Sequence, residues 1–94
     1  MNLQQIFIAR LKDARKRQKL SQEALGIAIG LDESVASTRI NRYENGIHQP
    51  DWGTLAKIAE VLQVPPAYFL ADDDLATYLL AYSKDENPFR QPEI

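Results

Sequence analysis

The chain has 94 residues, of which 45% are hydrophobic and 26% charged, so one domain with a single small core and a tail is expected. It contains no cysteine and one histidine, His48, which excludes a disulfide framework, a thiolate metal site and a two-histidine relay; no metal or cofactor is expected. The net charge of −2 hides a split, because residues 1–50 carry eight Lys/Arg against five Asp/Glu and residues 51–94 carry three against eight.

The first predicted helix covers residues 3–18, with Leu3, Phe7, Leu11 and Ala14 on one face. Arg10, Lys12, Lys16, Arg17 and Lys19 crowd the remainder toward the helix C-terminus, where the helix dipole favours cations. Such a cluster reads first as a solvated face, with backbone phosphate as a second use. Ser21 is placed to cap a second helix at 21–29, which offers Leu25, Ala28 and Ile29 to the core. Gly26 in its middle costs about 1 kcal/mol relative to alanine, tolerable if another helix crosses close there. Gly30 then stops the helix.

Leu31-Asp-Glu-Ser34 leads to a third helix, for which Asp32 and Ser34 are both possible N-caps. Ala36, Ile40 and Tyr43 recur at helical spacing and form one apolar stripe. Ser37, Thr38, Asn41 and Arg42 lie off it, and Asn45-Gly46 ends the helix. A short helix with a docked back and an outer face of hydroxyl, amide and guanidinium groups suits the DNA major groove, where such groups pair with base edges. The competing reading is the solvated polar face of an ordinary bundle helix. A basic first half beside an acidic second half fits a molecule that meets DNA on one face.

After the loop Ile47-His-Gln-Pro50, Asp51 caps a fourth helix at 52–63, with Leu55, Ile58, Ala59 and Leu62 inward and Trp52 expected as a lid on the core. Val64-Pro-Pro66 breaks the chain, and Pro66 suits the first position of a short fifth helix at 66–70 that buries Phe69, with Leu70 as a further candidate. Asp72, Asp73 and Asp74 open a sixth helix at 74–83. Leu75, Tyr78, Leu79 and Tyr82 fall at i, i+3, i+4 and i+7 along it. That stripe suits packing on its own domain and dimerisation equally, with a foreign protein partner third. Residues 84–94 are polar with two prolines and read as a loose tail. No run reaches the roughly 18 apolar residues of a membrane span, and the N-terminus lacks a secretory pattern, so a cytoplasmic location without a membrane partner is expected. The adjacent carboxylates at 72–74 diverge around a helix start and cannot face each other as an acid/base pair. No glycine-rich phosphate loop or nucleophile constellation is present, so no enzyme is expected.

Several of these pieces, in this order, resemble the phage-repressor and Cro-type (XRE-like) helix-turn-helix family. They are Arg10-Leu-Lys-Asp-Ala-Arg15, Leu20-Ser-Gln-Glu-Ala-Leu25, Gly30-Leu31, Ile40-Asn-Arg-Tyr-Glu-Asn-Gly46, and Pro50 with Leu55, Ile58, Ala59, Leu62 and Val64. The resemblance covers roughly residues 8–70 and implies an all-α fold: a five-helix repressor-type helix-turn-helix domain at 1–71, then a C-terminal helix at 72–83 as a candidate dimerisation element and a flexible tail at 84–94. By position it implies that Ser37, Thr38, Arg42 and Asn41 read bases. It implies that Gln22, Arg39, Asn45 and Lys19 meet phosphate, and that Arg15 and Glu44 form an internal ion pair. Two departures stand out. The spacing from Gly26, where alanine is usual, to Ile40 is four residues longer than the common pattern, and the surplus must lengthen the turn or extend the third helix backward. Lys19 replaces a glycine often found before the second helix.

The function implied is a sequence-specific DNA-binding transcriptional regulator, a repressor acting as a homodimer on double-stranded DNA, with Leu75, Tyr78, Leu79 and Tyr82 at the dimer contact. The alternative is an antitoxin-like or anti-repressor module that binds a protein partner. With no room for a ligand-sensing domain, occlusion of a promoter is the simplest form of regulation.

Overall fold

The computed structural model describes residues 2–81, and their only regular elements are helices. Five α-helices, α1 (Leu3–Arg17), α2 (Gln22–Ala28), α3 (Glu33–Glu44), α4 (Trp52–Leu62) and α5 (Asp73–Ala81), are joined by short turns, with a 3-10 helix at Pro66–Leu70 between the last two. That 3-10 helix stands where a fifth α-helix is expected. Its five residues favour the tighter i→i+3 pattern, seen in the bond from the Tyr68 N–H to the Pro65 carbonyl at 2.9 Å. Residues 82–94 lie outside the described part, and with them Tyr82 and the expected tail.

Helix starts follow side-chain oxygens that accept otherwise unpaired N–H groups. Asn2 and Gln5 form a reciprocal capping box on α1. Ser21 accepts from Ala24 N–H on α2, and Asp51 from Thr54 N–H at 2.7 Å on α4. On α3 the cap is Asp32, not Ser34: the carboxylate accepts both the Ser34 N–H and the Ser34 hydroxyl. These bonds, the hydroxyl's first, hold the Asp32 carboxyl below its usual range. Asp72 accepts from Leu75 N–H at the start of α5.

Helix ends share one device. In α1 to α4 a residue just past the helix turns left-handed, the second one after α1, α2 and α3 and the first after α4, and the next N–H reaches five residues back. The bonds are Leu20 to Arg15, Leu31 to Gly26, Ile47 to Arg42, and Val64 to Ala59. Gly30 (φ +96°) and Gly46 (φ +71°) adopt that conformation freely, whereas Lys19 (φ 57°) and Gln63 (φ 59°) do so as side-chain-bearing residues.

The core gathers Leu11, Leu25, Ile40, Ile58, Leu62, Tyr68, Phe69 and Leu79, all essentially inaccessible to solvent. α3 lies mainly on α2 and also meets α1, while the 3-10 helix lies under α1 and carries α5. Tyr68 is buried beneath α1 and donates its hydroxyl to Asp13 at 3.1 Å. Burial, helped by that bond, pushes its phenol up to about 12. Asp13 is held low, chiefly by its bond from Arg17.

Four expectations at the edges of the apolar stripes are corrected. Leu3 is 62% exposed, because the first turn of α1 is tied instead by the Gln4 amide bonded to the Gly46 carbonyl. Ala28 is exposed, and Gly26 takes its place on the buried face of α2. Trp52 is 81% exposed rather than a lid: it opens α4 one turn before Leu55, the first residue of that helix to pack on the core. Leu70 is about half-exposed at the end of the 3-10 helix.

The four surplus residues enter the helix rather than the turn. Since Asp32 follows Leu31 directly as the cap, α3 has twelve residues and its start is extended backward. The extension lays Ala36 across Gly26 so closely that a Cβ on Gly26 would sit 2.6 Å from Ala36 Cβ and 2.7 Å from its carbonyl oxygen. Gly26→Ala is therefore expected to destabilise the fold by about 1–3 kcal/mol, the usual range for overpacking, although alanine is the better helix former. Urea unfolding decides between the two effects: a midpoint that rises would mean that α3 can move away at no cost.

Candidate nucleic-acid interface

The inner side of α3 carries Ala36, Ile40, Tyr43 and Glu44, all buried. Opposite them, at i, i+3 and i+7, stand Val35, Thr38 and Arg42, all exposed. Ser34 and Asn41 flank this outer stripe on one side and Arg39 on the other, and these three are exposed as well. Ser37 is exposed on the flank shared by Ser34 and Asn41, nearer the inner face than Thr38.

The helix is oriented by the carboxylate at its end. Glu44 is only 2% exposed and is the one buried charged residue among the described ones. Arg15 of α1 grips it with two bonds, Nε to Oε2 at 2.6 Å and a terminal nitrogen to Oε1 at 3.0 Å, and donates a third bond to the Leu20 carbonyl at 2.9 Å. Gln22 of α2 donates its amide to the same Oε1 at 3.1 Å. One buried carboxylate thus ties α3 to the two helices before it. Sequence reasoning paired Arg15 with Glu44 by resemblance but left Gln22 out of that contact. No sequence signal joins residues 22 apart in chain order, short of the fold itself.

This geometry is that of two helices joined by a tight turn, with the second presented outward. A helix-turn-helix family model matches residues 11–69, which cover α2, the turn and α3 as well as most of the core. The chain belongs to the helix-turn-helix family. It is 31% identical over 94 residues to y4aM, an uncharacterized HTH-type transcriptional regulator of Sinorhizobium fredii (strain NBRC 101917 / NGR234), and that match takes in 99% of this chain. It is 36% identical over 63 residues, 67% of its length, to y4wC, a second such regulator of the same strain. The chain spans 63% and 41% of those two proteins' lengths. Among solved structures it is similar to the transcriptional regulator BswR, with a TM-score of 0.77 and 45% identity over 82% of this chain and 77% of that one. All three of these similar proteins carry the name of transcriptional regulator.

The remaining candidate residues take these places in the helix-turn-helix domain. Lys19 is exposed in the turn between α1 and α2. Asn45 is exposed past the end of α3, with its amide bonded to the Asn41 carbonyl at 2.8 Å. Of the α5 stripe, Leu75 and Tyr78 are about half-exposed, but Leu79 is 1% exposed and belongs to the domain's own core. Leu79 is thereby corrected as a dimer contact: the inner side of α5, with Ala76, lies on the 3-10 helix. Arg10 reinforces the attachment with bonds to the Ala71 carbonyl at 3.0 Å and to Asp73 at 2.7 Å. Among the described residues no helix is long and apolar enough to cross a membrane.

Removing one partner of a buried pair strands the other. Arg15→Ala is expected to cost about 3–5 kcal/mol, since Glu44 would keep only the Gln22 amide in a site nearly closed to water. Lys16→Ala, one residue on and exposed, is expected to change stability by less than about 0.5 kcal/mol. Denaturant midpoints of the two variants should differ accordingly, and equal midpoints would deny Glu44 any dependence on Arg15.

Proposed function

We propose that this chain is a sequence-specific DNA-binding repressor that acts as a homodimer, with α3 in the major groove. The observation that carries the reading is the outward stripe of α3. Thr38 and Arg42 stand one turn apart, exposed and directly opposite the buried side, on a helix fixed to the body of the domain through Glu44. Thr38, Arg42, Asn41 and Ser37 are assigned to base edges. Gln22, Arg39, Asn45 and Lys19 are assigned to phosphate, which positions the domain without reading sequence. Gln22 has a second amide hydrogen left for phosphate after its bond to Glu44. The acidic residues Asp72 to Asp74 belong to the α5 end, which packs on the 3-10 helix, whereas the α3 stripe belongs to the α2 side. That separation supports a single DNA-facing surface.

Selection of bound sequences from random duplex DNA supplies the site. On it, Thr38→Ala and Arg42→Ala are each expected to cost about 1–3 kcal/mol and to relax preference at one position, with folding unchanged. Gln22→Ala should weaken all sequences alike. In vitro transcription from a promoter carrying the site should fall when the protein is added. Wild-type affinity and preference in both α3 variants would remove the groove assignment.

The homodimer rests on Leu75 and Tyr78, large residues left about half-exposed on α5, together with Tyr82, which lies outside the described residues. Two copies would read half-sites centred about 34 Å apart in a pseudo-palindromic operator. A tyrosine at such a contact buries its ring while its hydroxyl stays wet. Sedimentation should show a dimer for the wild type on its operator and impaired dimerisation for the Leu75→Asp, Tyr78→Asp variant with its helical content intact. A variant that dimerises normally would move the interface off α5.

A further inference from the structure

The extension of α3 adds a residue to the outer stripe that is neither hydroxyl, amide nor guanidinium. Val35 is 40% exposed, one turn before Thr38 and two before Arg42, and lies across the helix from the buried Ile40 and Glu44. It makes no part of the core cluster. Its place is set rigidly, because the turn that carries it also carries Ala36, whose Cα lies where Gly26 leaves no room for a Cβ, and Asp32 caps that turn. Along the helix axis Val35 stands about 4.5 Å before Thr38 and about 10 Å before Arg42, so it meets a different base pair from either.

A valine can offer a base edge only apolar contact. Among the groups displayed in the major groove, the one apolar partner is the C5 methyl of thymine; the others are hydrogen-bond donors and acceptors that an isopropyl group would desolvate without pairing. We propose that Val35 is a specificity residue that reads a thymine methyl at the end of the half-site met by the N-terminal turn of α3. Thr38 beside it keeps a hydroxyl available for the flanking groups, whereas the Ser34 hydroxyl is bonded to the Asp32 cap. The inference rests on the DNA-binding reading of α3 and adds to it the kind of base met by the added turn.

The test uses the full chain and the operator selected from random duplex DNA, resynthesised with each thymine in turn replaced by deoxyuridine, which lacks only the methyl. Wild-type protein is expected to lose about fourfold in affinity at one thymine in each half-site, the transfer value of one buried methyl group. Val35→Ala should bind the unmodified operator correspondingly more weakly and should no longer distinguish thymine from uracil at that position. Its melting curve should match the wild type, since alanine is favoured in helices and the site is half open. Thr38→Ala and Arg42→Ala serve as the separate measure of the underlying reading: they should still distinguish thymine from uracil at the Val35 position while losing preference at their own. The proposal is overturned if no thymine is sensitive in the wild type, or if Val35→Ala keeps the same sensitivity, while the Thr38 and Arg42 variants still lose theirs. If neither of those variants changes sequence preference, the groove assignment of α3 itself fails, and the role of Val35 with it.

Discussion

A single buried carboxylate fixes how α3 is presented. A polar group in a site 2% open to solvent is costly unless it has partners, and Glu44 has them. It is held by a two-pronged contact from Arg15 on α1 and an amide from Gln22 on α2. These donors come from two different helices, so the C-terminal end of α3 is fixed in position and in rotation about its own axis. With Glu44 inward, Thr38 and Arg42 must point outward, because the helical repeat places them on the opposite side. A buried ion pair is weak evidence of net stability against an apolar replacement of the same volume. What it contributes here is a directional contact at the C-terminal end of a surface helix, where the neighbouring inward residues, Ile40 and Tyr43, are held by burial.

The four surplus residues and the glycine at 26, where the family usually has alanine, are one adaptation. A longer turn would have left alanine acceptable in α2. A longer α3 instead carries Ala36 onto α2 itself, where the nearest backbone atoms leave no space for a methyl group. The crossing is possible only because both contact residues are small, and it makes α2 and α3 a stiffer pair than a loop insertion would. The added turn is therefore part of the rigid α2–α3 pair rather than an appendage to it.

Most helices were legible because capping residues and apolar repeats agree along the chain: Ser21 and Asp51 cap where the pattern begins, and Gly30 and Gly46 turn left-handed where it stops. Periodicity assigns a face only to within about one residue, which is why Ala28 was exchanged for Gly26 on the inner side of α2 and Leu79 was taken from the outer stripe of α5 into the core. It also cannot tell whether the first turn of a helix reaches the core, hence exposed Leu3 and Trp52. The choice of Asp32 over Ser34 as cap depends on which residue keeps an extended backbone, and the close crossing of α2 and α3 helps fix that. At the candidate site, resemblance supplied Arg15 with Glu44 across 29 residues of chain. Val35 drew no reading, because its place on the outer stripe depends on where the helix starts.

The attachment of α5 bears on how two copies would associate. The Arg10 contact to Asp73 involves a carboxylate that is 96% exposed, so it adds little by itself. The helix is held mainly by burial of Ala76 and Leu79 and by the Arg10 bond to the Ala71 carbonyl. That docking takes the inner half of the apolar stripe and leaves only Leu75 and Tyr78, each about half-exposed, among the described residues of α5. A stable protein–protein contact usually buries about 800 Å² per partner, more than two half-open side chains supply. An interface centred on them would be weak in free solution and would gain from DNA, since two half-sites on one operator hold the protomers at high effective concentration. In the proposed homodimer, dimerisation and operator binding would then be coupled: a weak contact on α5 would leave single half-sites poorly occupied and make the spacing of paired half-sites part of what is recognised.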